Sequence, residues 1–312
     1  MSGVWDRVCL RPLDNWLANH DVWRHLFCGW APWRIDASGH AAVGGLVLNL
    51  RRCLSAGLLA WAGLAAALSG TADSGADRLW AQRIEAGQAF LTNLFDPELE
   101  LLPEYPGAKV YWLYHDNYLA AQLLEGPRPD LARRIRAALA RYGVSRSGKI
   151  ELLFGEPGAE LPFRIQVLTN VARIGPKLIR TERAGERLLP DWAEYADLLL
   201  LAAVARAKDA PAQAGQHLAA ALKLWDGRGF YDRATRASGL YATYKLALAL
   251  TAAQRLRADL PMRSELLDRL ARLQSPAGGW ITDYTDQGQP RGLANVETTC
   301  LVLLALQGEP GR

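Results

Sequence analysis

The stretch QSPAGGWITDY, residues 274–284, lies between two segments, 263–273 and 295–306, whose apolar residues recur every three and four positions. That period is helical. Between two helices the Pro-Ala-Gly-Gly core marks a turn, yet Trp280, Asp283 and Tyr284 are chemically too particular for a spacer. They suit either a joint between packed helices or a loop that reaches a site.

The same helical period runs through 77–95, 111–124, 130–142, 191–207, 212–224 and 239–256, which makes eight helices in all. Pro129, Pro190, Pro211 and Pro261 precede or open helices, and Gly143, Gly227 and Gly308 follow them, as helix punctuation requires. Residues 144–189, with KIELLF and FRIQVLTNV, break the period and leave room for short strands or an irregular helix pair. The expected fold class is all-α.

The connectors share a form. LLPEY at 101, GKIEL at 148, GFYDR at 229 and GWITDY at 279 each place an apolar or aromatic residue shortly before a carboxylate. A recurring helix, turn, acid, helix unit implies stacked hairpins. The segments YWLYHDNYLAAQLL, DWAEYADLLLLAAVA, GLYATYKLALAL and NVETTCLVLLAL begin polar or aromatic and then turn almost wholly apolar, the mark of buried helices. DLARRIRAALARY and RSELLDRLARL are amphipathic and belong in an outer layer.

Gln274, Gly278 and Trp280 form a Gln, three residues, Gly, one residue, Trp pattern that resembles the repeat motif of terpenoid cyclases and protein prenyltransferases. ETTCLVLLAL resembles the inner helices of that α/α-toroid superfamily. The resemblance covers residues 210–308 by motif and 76–209 by rhythm. It implies a six-hairpin-like α/α toroid of inner apolar and outer amphipathic helices. The superfamily's chemistry is not implied: the cyclase DxDD string is absent, and Cys300, His115 and His217 are the available zinc-ligand types beyond the N-terminal region. His217, in QAGQHLAAAL, reads as a surface residue, and Cys300, before LVLLAL, as a small core residue. No metal and no cofactor is expected.

One position recurs at the start of each inner helix: Asp116, Asp197, Lys245 and Glu297, at intervals of 81, 48 and 52 residues. Parallel inner helices would bring the four to one mouth, and they are the candidate catalytic set. Acids in a first helical turn gain from the macrodipole, whereas a lysine there does not. Lys245 is therefore expected to have an acidic partner among the other three. Around the ring stand Tyr111, His115, Asn117, Tyr195, Tyr241, Tyr244, Asn295 and Thr298, and the connectors add Glu104, Asp232, Trp280, Asp283 and Tyr284. Carboxylates interleaved with Tyr and Trp suit a saccharide, whose faces stack on rings and whose glycosidic oxygen takes a proton.

The expected activity is acid–base chemistry of the glycoside hydrolase or lyase kind on a saccharide or envelope polymer, with Glu297 and either Asp116 or Asp197 as the pair. Two alternatives stand beside it. In a non-catalytic binding or scaffold module the ring is a satisfied salt-bridge network, with Asp232 or Asp283 capping turns and Asn295 capping its helix. An isoprenoid-binding toroid would instead carry a deep apolar funnel. A phosphate-binding glycine loop, Cys-x-x-Cys, His-Glu-x-x-His and a glycine-flanked nucleophilic serine are all absent.

The net charge of +4, from 36 basic and 32 acidic residues, and the scattered arginines argue against a nucleic-acid partner. Residues 1–46, with three of the five histidines and no sustained period, read as a poorly ordered or mis-assigned extension. Arg51 and Arg52 then precede CLSAGLLAWAGLAAALS, residues 53–69, without a charge. That layout makes 47–72 a signal peptide or anchor; the run falls short of the ~20 residues of a full span. The chain is therefore expected to be exported, periplasmic or extracellular, touching membrane only through 53–69, with the toroid domain at 76–309. No methionine occurs between Met1 and Met262, and a non-AUG start such as the codon of Val43 or Val47 would put the charged segment first. Cys300 would then be the lone cysteine, with no internal disulfide.

Overall fold

The computed structural model describes residues 61–144, 149–155, 161 and 163–308, with side chains from residue 75 onward apart from residue 76. The extension at 1–46 and the first part of the apolar run lie outside the described residues. No described helix is long and apolar enough to cross a membrane. Among the described residues, 61–81 belong to one compact unit and are helical, and those from Gln82 onward belong to another.

The all-α toroid expectation is corrected: about 51% of the residues are helical and 19% lie in strands, in two three-stranded sheets. Helix α1 (Trp61–Asn93) is followed by β1 (Tyr111–Leu113), α2 (Tyr114–Leu123) and α3 (Pro129–Arg141). A 3-10 turn (Ile150–Phe154) leads to β2 (Arg164–Ile174) and β3 (Lys177–Leu188). Then come α4 (Ala196–Arg206), α5 (Pro211–Leu222), the short α6 (Arg233–Ser238), β4 (Tyr241–Ala242) and α7 (Thr243–Leu256). The chain closes with α8 (Arg263–Arg272), β5 (Ile281–Tyr284), β6 (Pro290–Ala294) and α9 (Val296–Gln307).

The first sheet has the order β1-β3-β2, with β1 parallel to β3 and β2 antiparallel to it. The second is antiparallel, in the order β4-β5-β6. The physical reason for the correction lies in the entrances to the inner helices. Tyr111–Leu113 and Tyr241–Ala242 continue the apolar pattern of the helices behind them, but their backbones pair with Leu178–Arg180 and with Asp283 and Tyr284. Aromatic residues favour such half-buried pleated positions.

The four apolar helices α2, α4, α7 and α9 form the core. Helix α9 packs between α2 and α7, and α7 packs on α4. The 3-10 turn packs on α4 and reaches α2 through a Tyr114–Glu151 hydrogen bond of 2.9 Å and a Tyr118–Phe154 ring contact of 5.7 Å. Helices α3, α5 and α8 lie against α2, α4 and α7 respectively, and bury only one face each, as at Leu131 and Ile135 or Leu266 and Leu270.

The connectors repeat in three dimensions. Isolated bridges Asp96 to Leu101, Trp225 to Phe230 and Gln274 to Trp280 close a small loop after α1, α5 and α8. A carboxylate follows each closing residue: Glu104, Asp232 and Asp283. In the last connector Gln274 donates its amide to the carbonyls of Arg83 and Gly278, both at 2.8 Å, and accepts from the Arg83 guanidinium at 2.9 Å. Trp280 is fully buried and donates its indole N–H to the Leu270 carbonyl at 2.8 Å. Gly278 has φ 96° and presses against the Ala86 backbone, where a Cβ would collide with the carbonyl oxygen. Gly278→Ala is therefore expected to cost about 2–3 kcal/mol, from left-handed strain plus overpacking, read as a lowered urea midpoint with unchanged m-value. An unchanged midpoint would show that α1 does not hold this joint.

Candidate functional site

Each inner helix carries its charge in the first turn: Asp116 in α2, Asp197 in α4, Glu297 in α9 and Lys245 as the third residue of α7. All four are buried, at 1%, 3%, 3% and 2% exposure. They fall into two groups. Lys245 Nζ lies 2.5 Å from Asp232 Oδ2 and 4.0 Å from Asp197 Oδ1. Asp232 also accepts from the Ala196 and Thr235 backbone amides, both at 3.0 Å, so it caps α6 and ties α4 to α7. Burial alone would raise the Asp232 carboxyl, but Lys245 and those two amides hold it below the usual carboxylate value. Burial likewise works against the Lys245 ammonium, and the charges of Asp232 and Asp197 reverse that and raise it.

The second group is built around a histidine. His115 Nε2 stands 3.3 Å from Asp116 Oδ1 and 4.0 Å from Glu297 Oε2, and its Nδ1 is 3.9 Å from Glu182 Oε1. Glu182, on β3, lies 3.5 Å from Lys149 Nζ. Neither Asp116 oxygen accepts a hydrogen bond, nor does His115 Nδ1 make one. Burial pushes the Asp116 carboxyl well above its ordinary value, and the charges of Glu104 and Glu182 add to the rise. Burial does the same to Glu297, joined by Asp116 and Glu182 and opposed by Lys149. Burial lowers the His115 imidazole against the pull of Glu182. His115 and Asp116 are thus close neighbours that both favour their neutral forms.

The two groups are continuous. Lys149 acts on Glu297 and also on Asp197, which burial raises and Lys245 pulls back. Every buried charged side chain among the described residues belongs to this one cluster: eight carboxylates, namely Glu104, Asp116, Glu151, Glu182, Asp197, Asp232, Asp283 and Glu297, against Lys149 and Lys245. Removing an ion from water costs several kcal/mol unless it is paired. The acids thus outnumber the buried lysines, and the half-buried Arg180 guanidinium also acts on Glu104. The oxygens of Asp116 and Glu297 and a nitrogen of His115 lie within 4.8 Å of one another, so these three could hold a metal ion.

The other expected site residues are placed as follows. Asn117 is fully buried, and its amide is spent on backbone: it donates to the Leu102 and Leu113 carbonyls, both at 2.9 Å, and accepts from Leu102 N–H at 2.7 Å. Asn295 caps α9 by accepting from Thr298 N–H at 2.9 Å. Tyr241 stacks on Tyr284 and donates to Asp226 at 2.5 Å, while Tyr284 donates to the Arg228 carbonyl at 3.0 Å. Tyr195 precedes α4 beside Arg233, and Tyr244 lies against Lys245. Tyr111, 38% exposed, is the ring of the set that meets solvent, with the Arg180 guanidinium over it at 5.0 Å. Asp283 lies in β5 and acts on Lys245.

Sequence reasoning missed Lys149, Glu151 and Glu182. The usable signal was in KIELLF, where a lysine and a glutamate interrupt an apolar run. No family model, curated protein or solved structure matches the chain.

Proposed function

We propose that the chain is an enzyme that acts on a saccharide by acid–base chemistry, centred on Asp116 and Glu297. The observation that carries this is the pair of buried acids Asp116 and Glu297 gathered around His115, with neither Asp116 oxygen accepting a hydrogen bond. A structural ion pair would be closed, as Lys245 and Asp232 are. An open one is costly, and such cost is retained at reaction centres.

The division of labour follows from the neighbours. Asp116 and Glu297, beside each other and both buried, favour the protonated form and are the donors to a glycosidic oxygen. Glu182, 3.5 Å from Lys149, is the neighbouring carboxylate proposed as the second member of the pair. Two carboxyl groups flanking the scissile bond are the pattern of glycoside-cleaving sites. Tyr111, at the exposed edge, offers a ring for a sugar face. A polymer of the cell envelope suits the export segment expected at 53–69.

A panel of neutral and uronate-containing oligosaccharides tests the proposal, with new reducing ends reporting hydrolysis and ultraviolet-absorbing unsaturated ends reporting elimination. Turnover of at least one class is expected. Absence of both turnover and binding across the panel would overturn it.

A further inference from the structure

We propose that His115, Asp116 and Glu297 form a binding site for a divalent cation of intermediate hardness, Mn²⁺ or Zn²⁺ rather than Ca²⁺. The inference deepens the function proposed above and rests on the same cluster, but cation binding is measured without any saccharide.

Geometry comes first. Metal–ligand distances of about 2.0–2.2 Å put neighbouring ligands of one ion roughly 3–4 Å apart. His115 Nε2 is 3.3 Å from Asp116 Oδ1 and 4.0 Å from Glu297 Oε2, and all three ligand atoms fall within 4.8 Å. Small rotations of two carboxylates close the remaining gap. His115 and Asp116 sit on the first turn of α2, and Glu297 on the first turn of the adjacent α9. The ion would therefore cross-link two core helices.

Two further observations point to a ligand. Asp116 is 1% exposed, and neither of its oxygens accepts a hydrogen bond, which leaves a buried acceptor, Oδ1, 3.3 Å from the histidine. A buried acceptor without a donor is expensive, and a cation satisfies it. The other imidazole nitrogen, Nδ1, is 3.9 Å from Glu182 Oε1, and Glu182 is itself 3.5 Å from Lys149. A carboxylate that accepts from the second nitrogen of a ligating histidine fixes ring orientation at metal centres; here Nδ1 makes no hydrogen bond, and the 3.9 Å gap to Glu182 would close on binding. Around these ligands six further buried carboxylates outnumber the two buried lysines, which favours a positive guest.

The donor set selects the ion. Calcium and magnesium take oxygen ligands, whereas an imidazole suits zinc and its neighbours. Three protein ligands leave coordination positions open, as catalytic sites do and structural ones do not. With a cation bound, Asp116 and Glu297 would be its ligands rather than proton donors, and the chemistry it would supply is Lewis-acid polarisation of a substrate oxygen.

The whole chain, stripped with chelator and dialysed, is titrated with MnCl₂ and followed by electron paramagnetic resonance of the free ion, then with ZnCl₂ by calorimetry. Saturable binding of one ion per chain is expected. It should weaken at least about 10-fold in Asp116→Asn and in His115→Gln, and by about 10–100-fold in Glu182→Gln, the orienting residue. Asp209→Asn, outside the cluster, should bind as the parent does. Circular dichroism certifies the fold of each variant. Absence of saturable binding, or equal affinity in the parent, Asp116→Asn and His115→Gln, would overturn the site. Turnover in excess chelator without cation binding would sink this inference and leave the proposed function standing; cation binding with no saccharide turnover or binding would do the reverse.

Discussion

Glu297→Gln lowers kcat on the accepted saccharide by about 10²- to 10⁴-fold, the span of a lost acid–base group, equivalent to roughly 3–5 kcal/mol of barrier. The amide keeps the shape of the side chain and cannot deliver the proton. The substitution removes one ionisable group from a place where burial and the neighbouring Asp116 and Glu182 already oppose its charge. The fold should therefore survive, with a circular dichroism spectrum and unfolding midpoint at or above those of the parent. KM should move less than kcat, because a group used in the transition state is being removed rather than a uniform binding contact. Activity within threefold of the parent would remove Glu297 from the chemistry.

Lys245→Met has its large effect on stability instead. Lys245 Nζ contacts Asp232 at 2.5 Å and Asp197 at 4.0 Å in a fully buried setting. Removing one partner of a buried pair typically costs about 3–5 kcal/mol, because the other charge is left behind. Here two carboxylates are stranded, and Asp232 keeps only its two backbone donors. The double replacement Lys245→Met with Asp232→Asn should recover much of the loss, since the stranded charge then disappears. Urea unfolding in a four-membered mutant cycle measures this. Additive losses in the double mutant would show that the two side chains do not act as a pair.

The core helices and their first-turn charges were legible because a charge at the head of an almost uninterrupted apolar run has few structural explanations. Asp116, Asp197, Lys245 and Glu297 stand out on that ground alone. The QSPAGGWITDY stretch was legible as a joint for a similar reason: a positive-φ glycine and a buried tryptophan leave a particular signature, here Gly278 and Trp280. The strands were legible only in part: the break in helical period at 144–189 left room for strands where β2 and β3 lie, but their length and pairing, and the short strands β1, β4, β5 and β6, were not read. Tyr111–Leu113 and Tyr241–Ala242 are three and two residues long and flow into helices of like character, so no alternation had room to appear. The long β2–β3 hairpin carries bulges between Arg164 and Gln166 and between Asn170 and Ala172, which break the period of two that marks a half-buried strand.

Within the site, the hidden information was pairing. Asp232 and Asn117 look like site residues by type, and only the coordinates show Asp232 bound to Lys245 and two amides, and Asn117 bound to backbone. Glu182 is the converse case. It sits in TERAGER, whose other charged residues face outward or are part-exposed, and a buried glutamate there has no local mark. Its role depends on β3 running beside β1, a long-range parallel pairing that no short stretch encodes.

Asp116 and Glu297 holding protons in the cation-free protein is the point on which the proposed chemistry depends, and the pH dependence of stability reads it directly. A carboxyl whose folded pKa is raised binds more protons in the native state than in the unfolded state, across the interval between the two values. Stability then falls as pH rises through that interval. For Asp116 and Glu297 the interval opens near the unfolded values of 3.8 and 4.5 and extends upward. Asp232 has the opposite sign: its pKa is lowered, so its contribution is lost as pH falls below the usual carboxylate range. Comparing the parent with Asp116→Asn/Glu297→Gln, by urea unfolding in chelator at a series of pH values, isolates the pair. The difference should be small near pH 4 and widen as pH rises, the double variant becoming the more stable protein at neutral pH. Parallel curves, or a parent that gains stability relative to the variant as pH rises, would contradict the claim that these two buried carboxyls are held neutral.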